Sequence, residues 1–261
     1  MKKGLLLLTL LTLHVTSSHA TGEKYLSSDT KLGLFIRSEF DDLSPEEVLS
    51  YESSFGELVG KLKEKQASMK SEVGFLKYVF YTVHRKMLGE YEQYVTFSDI
   101  FKKQKKYDCV TGTAFYALIL DELGIEYEVH ETDYHVYLVA FSKGREYLFE
   151  STDPLNGFAW DPREIAERRA YVNKESLRIN AELAMTGLAS EDVALQKATY
   201  IDTTVDLRQL AGLHYYNQAL RQFNNNSYRE AYKMIIIAQG IYPTQRIKNA
   251  SAFMFSAAFE D

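Results

Sequence analysis

Cysteine is nearly absent: the chain of 261 residues has one, Cys109. An internal disulfide is therefore excluded, along with the cross-linked scaffolds common among small exported proteins. What remains for Cys109 is an inert buried thiol, an intermolecular bridge or a reactive nucleophile. A basic surplus is also lacking. The formal charge is −6, and losing the two lysines of the first twenty residues leaves −8 over 241 residues. That balance carries no footprint for nucleic acid or an anionic membrane, so partners are expected to be neutral or mixed in charge. No apolar run approaches the roughly twenty residues that span a bilayer. The glycines are scattered and form neither a phosphate loop nor a dinucleotide fingerprint. His84, His130, His135 and His214 show no metal-ligand spacing, so neither a metal nor a cofactor is expected.

What is present begins with a leader. Lys2 and Lys3 precede an apolar stretch from Leu5 to Val15, and Ser18-His19-Ala20 offers small residues at positions −3 and −1. The pattern predicts a signal peptide over residues 1–20, cleaved after Ala20, and hence a periplasmic or secreted protein. The leader has no cysteine to accept a lipid. Two sequons, at Asn225-Asn226-Ser227 and Asn249-Ala250-Ser251, would matter in a glycosylating host, and the bacterial-type signal argues against that.

Length allows one or two domains, and 46 % hydrophobic residues are enough to give them a packed core. Ser44-Pro45-Glu46-Glu47 reads as a capped helix start, followed by an apolar stripe at Val48, Tyr51, Phe55, Leu58 and Leu62. A second helix carries Val73, Leu76, Phe80, Val83 and Met87 and is expected to stop at Gly89. His84 within it is read as solvated or packed, without chemistry. From Cys109 to Leu123 nearly every residue is apolar or small, which predicts a helix buried in the middle of its domain and ended by Gly124.

Three strands should follow: one alternating through Ile125, Tyr127 and Val129, one opening at His135, and one from Glu146 to Ser151 after a turn at Ser142-Lys143-Gly144. His130 falls on the charged side of the first and is read as a surface histidine. A helix followed by an antiparallel meander is an α+β pattern. Asp161-Pro162-Arg163-Glu164 starts another helix, with weak periodicity to about Tyr200. After residue 200 the composition changes to a helical hairpin, whose Tyr228, Ala231, Ile235, Ala238 and Pro243 fit one tetratricopeptide-like repeat. A single unit cannot stand alone, so it is expected to pack on the rest of the protein or on a partner.

Cys109 falls at the start of the buried helix, where unpaired N–H groups favour a thiolate. Asp108 beside it is a suitable N-cap but an unfavourable charge, so a cation is required. Protonated His135 can supply it, and Glu150 or Asp153 can hold the imidazole tautomer.

Cys109 at the head of an apolar helix, Leu123-Gly124-Ile125 closing it, His135-Val136-Tyr137 opening a strand, and Glu150-Ser151-Thr152 on the next together resemble the bacterial transglutaminase-like (papain-fold) superfamily over roughly residues 70–160. The resemblance implies a buried helix packed on an antiparallel sheet, in a domain of residues 21–200 with N-terminal helices, followed by the hairpin at 201–261. It implies a Cys109–His135–acid triad that transfers an acyl group from a peptide or side-chain amide to water or an amine, through a thioester. Glu150 matches the acid-small-threonine pattern and is favoured over Asp153. Tyr107 stands where the family often has glycine, and Tyr137 where it has tryptophan. The oxyanion hole would use the Cys109 N–H and a second donor; the spacing gives no role to Gln104. A peptide-binding module that keeps the fold without turnover is the alternative.

Overall fold

The computed structural model describes residues 30–39, 43–185 and 201–260; the expected signal peptide, residues 1–20, and the residues between 185 and 201 lie outside them. The described residues form an α+β structure built on a five-stranded antiparallel sheet. A one-turn helix α1 (Gly33–Ile36) leads to α2 (Pro45–Ser68). The α2 start is fixed chemically: the Glu47 N–H donates to Ser44 Oγ at 3.2 Å, and the Ser44 N–H donates to Glu47 Oε2 at 2.9 Å. Its stripe of Val48, Tyr51, Leu58 and Leu62 is buried, while Phe55 is half-buried against the edge of Phe115.

Helix α3 (Glu72–Met87) follows. Its expected stop at Gly89 needs correction in kind: α3 closes at Leu88, and Gly89 is required one step later by a close approach of two backbones. A Cβ on Gly89 would lie 2.4 Å from the Gln104 carbonyl oxygen.

Helix α4 (Cys109–Glu122) is the central element, with every residue from Val110 to Leu120 buried. Such a helix has no polar face, because it is covered on all sides. Phe80 of α3 stacks on Tyr116 at 5.3 Å between ring centres, and Tyr116 Oη donates to the Phe80 carbonyl at 3.0 Å. Gly124, at φ +66°, turns the chain into the sheet.

The sheet comprises β1 (Glu126–Thr132), β2 (Val136–Ser142), β3 (Arg145–Phe149), β4 (Phe158–Ala159) and β5 (Asp202–Val205), in the order β4-β3-β2-β1-β5. Lys143 and Gly144 both take positive φ, which matches a tight hairpin to the right-handed twist of β2 and β3. The meander is as expected, with two additions. β4 extends one edge, and β5, from the segment assigned to the hairpin, pairs Val205 with Val129 and Thr204 with His130 on the other.

Helix α5 (Pro162–Met185) covers the second face of the sheet, where Ile165 joins a small cluster with Tyr137, Val139, Leu148 and Ala159. His130 is half-buried there, stacked on Tyr137 at 5.0 Å, and is not the surface histidine expected of it.

The C-terminal region contains three helices: α6 (Leu207–Asn224), α7 (Tyr228–Ile241) and α8 (Gln245–Phe259). Ala219, Ala231, Ile235, Ala238, Ile247 and Met254 make their shared core. This layer is docked on the rest of the chain. Arg246 and Tyr242 bind the buried Glu131 carboxylate of β1, and Arg246 Nη1 donates to the Asp133 carbonyl at 3.1 Å. Among the described residues, no helix is long and apolar enough to cross a membrane.

Candidate active site

Asp108 builds the start of α4. Its carboxylate accepts the Thr111 N–H at 2.7 Å, while its own N–H donates to Thr111 Oγ1 at 2.8 Å, and two of the orphan amides of the turn are thereby used. Asn217 of α6 donates to Asp108 Oδ2 at 3.4 Å. Burial raises the Asp108 pKa, against the pull of the Thr111 and Asn217 hydrogen bonds. Cys109 is the first residue of the helix and is half-buried.

The helix must approach the end of β3 closely to bring Cys109 into place. Gly112 allows it: a Cβ there would lie 2.9 Å from both Cβ and Oγ of Ser151. Thr113 Oγ1 donates to the Val136 carbonyl at 3.3 Å, so the first turns of α4 are tied to the ends of β2 and β3 together.

His135 and Glu150 lie at those two ends. His135 is held in a turn by Thr132, whose Oγ1 accepts the His135 N–H at 3.2 Å. Its ring Nε2 is 2.6 Å from Glu150 Oε2. The Cys109 side chain lies close enough to the ring to help hold its proton. With Nε2 committed to Glu150, Nδ1 is the nitrogen left for the thiol. Glu150 is itself oriented, because its Oε1 accepts the Thr152 N–H at 3.0 Å and the Thr152 hydroxyl at 2.7 Å.

The electrostatics follow from this chain. Burial alone pushes the imidazole towards its neutral form; the Glu150 carboxylate and the Cys109 contact outweigh it, and His135 is held up to about 10. Burial likewise works to raise Glu150, and His135 and Thr152 overcome it to hold the carboxyl below its ordinary value. At neutral pH the arrangement is an imidazolium between a carboxylate and a sulfur, the state that nucleophilic thiol catalysis uses.

The structure therefore brings together Cys109, His135 and Glu150, and places Asp153 elsewhere. Asp153 Oδ1 accepts the N–H groups of Leu155 at 3.2 Å and Asn156 at 2.9 Å, and Oδ2 lies 3.5 Å from Arg168 Nη1. It shapes the loop between β3 and β4. Gln104 is exposed and its carbonyl packs on Gly89.

His84 is buried behind the site, with Nε2 3.1 Å from the Ser151 carbonyl and 3.3 Å from Tyr107 Oη, and burial lowers its pKa. Tyr107 is thus anchored on His84, and its ring lies 3.0 Å from where a Cβ on Gly112 would stand.

Two tyrosines that the sequence did not single out flank the thiol. Tyr91 and Tyr94 are each lifted above the ordinary phenol value, first by burial and then by Cys109 and Asp108. They lie in the connection between α3 and α4, which has no periodicity to mark it. Among the described residues no group of three or more histidine, cysteine, aspartate or glutamate side chains is placed to hold a metal ion. Compared with known proteins, the chain matches no family model, no curated sequence and no solved structure.

Proposed function

We propose that the protein is an exported cysteine-dependent acyl-transfer enzyme of papain or transglutaminase-like design, acting on peptide or side-chain amides. The observation that carries this reading is the position of the His135 ring between Cys109 and Glu150, with Nε2 2.6 Å from the carboxylate.

In the proposed reaction the proton shared by Cys109 and His135 already rests on the ring, and the sulfur attacks the amide carbonyl, forming the S–C bond. The tetrahedral intermediate collapses as His135 returns the proton to the departing nitrogen, which leaves as an amine and a thioester remains. Water or a second amine then attacks the thioester, losing a proton to His135, and the S–C bond breaks to restore the thiol. Glu150 keeps the ring oriented and stabilises its positive form throughout.

Iodoacetamide labelling across pH tests the first step. The wild-type thiol is expected to react well below pH 8, and His135→Ala to lose that enhancement. Labelling confined to unfolded protein would remove the enzyme reading in favour of a peptide-binding module. A screen of peptidoglycan fragments and peptide amides, with Cys109→Ala as the control, identifies the substrate.

A further inference from the structure

Tyr91 is distant from the triad in sequence, yet the backbone ties it to the residues leading into Cys109. The Tyr107 N–H donates to the Glu90 carbonyl at 3.0 Å, and the Glu92 N–H donates to the Tyr107 carbonyl at 3.0 Å. The result is an isolated parallel bridge with Tyr91 opposite Tyr107, two residues before the nucleophile. The two rings meet edge to face, 5.8 Å between centres at 87°. Tyr107 is buried beneath, and Tyr91 is 47 % exposed above it, so the Tyr91 ring is anchored on one side and open to solvent on the other.

Two hydrogen-bond donors at this place have no partner among the described residues. The Tyr91 hydroxyl has no hydrogen-bond partner among the described residues. The Cys109 N–H, the first of α4, takes part in none of the described turn and cap hydrogen bonds, whereas the nearby Thr111 and Gly112 N–H groups donate to Asp108. An acyl-transfer site needs two donors aimed at the oxygen that becomes negative when the sulfur adds to the carbonyl.

We propose that the Tyr91 hydroxyl and the Cys109 backbone N–H form the oxyanion hole, with Tyr91 as a catalytic residue that touches the developing alkoxide. The inference rests on the reading of Cys109 as the nucleophile. Burial and the nearby Cys109, Asp108 and Glu150 raise the phenol's pKa, so the hydroxyl keeps its proton and donates a hydrogen bond without giving the proton up. Tyr94, whose backbone takes a left-handed φ of 59°, lies on the same connection and serves as the comparison.

Two reactions of the same sulfur separate this role from a structural one. Iodoacetamide alkylation displaces iodide at a saturated carbon and develops no oxyanion. Acylation by p-nitrophenyl acetate forms an S–C bond to a carbonyl, passes through an oxyanion, and expels p-nitrophenolate with the electron pair of the broken C–O bond, while the thiol proton rests on His135. Tyr91→Phe is expected to slow acylation about 10²-fold, the usual effect of removing one oxyanion donor, and to leave alkylation within about twofold of wild type. Tyr94→Phe should change neither. The proposal is overturned if Tyr91→Phe acylates at the wild-type rate, if both reactions slow equally, or if the selective loss follows Tyr94→Phe instead. A wild-type thiol inert to both reagents at pH 7 would instead remove the nucleophile itself, and Tyr91's role with it.

Discussion

His135 and His214 are both well enclosed, and their surroundings drive them in opposite directions. His214 of α6 is wholly buried, packed near the rings of Phe35 and Phe97, and its Nε2 is 2.9 Å from Ser38 Oγ. Burial, helped by Arg221, pushes it down to about 3. His135 meets the same penalty but has Glu150 at hydrogen-bond distance and rises to about 10. Burial sets the cost of the charge, and one carboxylate decides whether the charge is carried. A hydroxyl such as Ser38 can satisfy a neutral ring and cannot hold an imidazolium, so His214 stays neutral while His135 carries the charge that its proposed role needs.

The contrast is broken most severely at the charged ring. His135→Ala is expected to reduce turnover of an amide substrate by about 10²–10⁴-fold, the range typical of a lost acid-base group, measured as kcat/KM. Glu150→Gln keeps the hydrogen bond and removes the charge, and it should move the alkaline limb of the rate profile down from about 10 towards 6.5. An unmoved limb would mean that the carboxylate is not what sustains the imidazolium.

The two rings should also govern opposite limbs of the stability profile. The folded His135 keeps its proton to about 10, whereas an unfolded histidine releases it near 6.5, so the stability it contributes is complete below 6.5 and is lost as pH rises through 10. The folded His214 takes up a proton only near 3, so stability falls as pH drops below 6.5. In thermal melts from pH 4 to 10, His214→Gln should flatten the acid limb and His135→Gln the alkaline one; exchanged effects would reverse the assignment. The smallest effect is expected at Ser38, where Ser38→Ala should cost about 1 kcal/mol in a denaturant titration and leave thiol reactivity unchanged.

The grouping of Cys109, His135 and Glu150 was legible because each lies at a junction the chain itself marks. Asp108 and the apolar run after it announce the start of α4; His135 and Glu150 adjoin the ends of β2 and β3, which alternation and the Lys143-Gly144 turn define. What escaped lacks such marks. β4 has two residues and β5 four, too few to show a period, and both exist because neighbouring strands offer edges. The third C-terminal helix follows Pro243 and was obscured by fitting one repeat to the two before it. Asp153 and Glu150 are alike as residue types; the backbone turn that occupies Asp153 appears only in three dimensions. His130 was misplaced because alternation assigns a face, and α5 covers the face that alternation alone leaves open.

Asn217 and the adjacent Gln218, which donates to the Val95 carbonyl at 2.6 Å, reach from α6 to both approaches to the thiol. Trimming the chain before α6 would spare all three triad side chains and still strip a donor from the carboxylate beneath the sulfur and another from the strand-like approach that carries Tyr91 and Tyr94. The terminal helices are thus part of the scaffold around Cys109, His135 and Glu150, and a fragment that ends before α6 would leave that wall open.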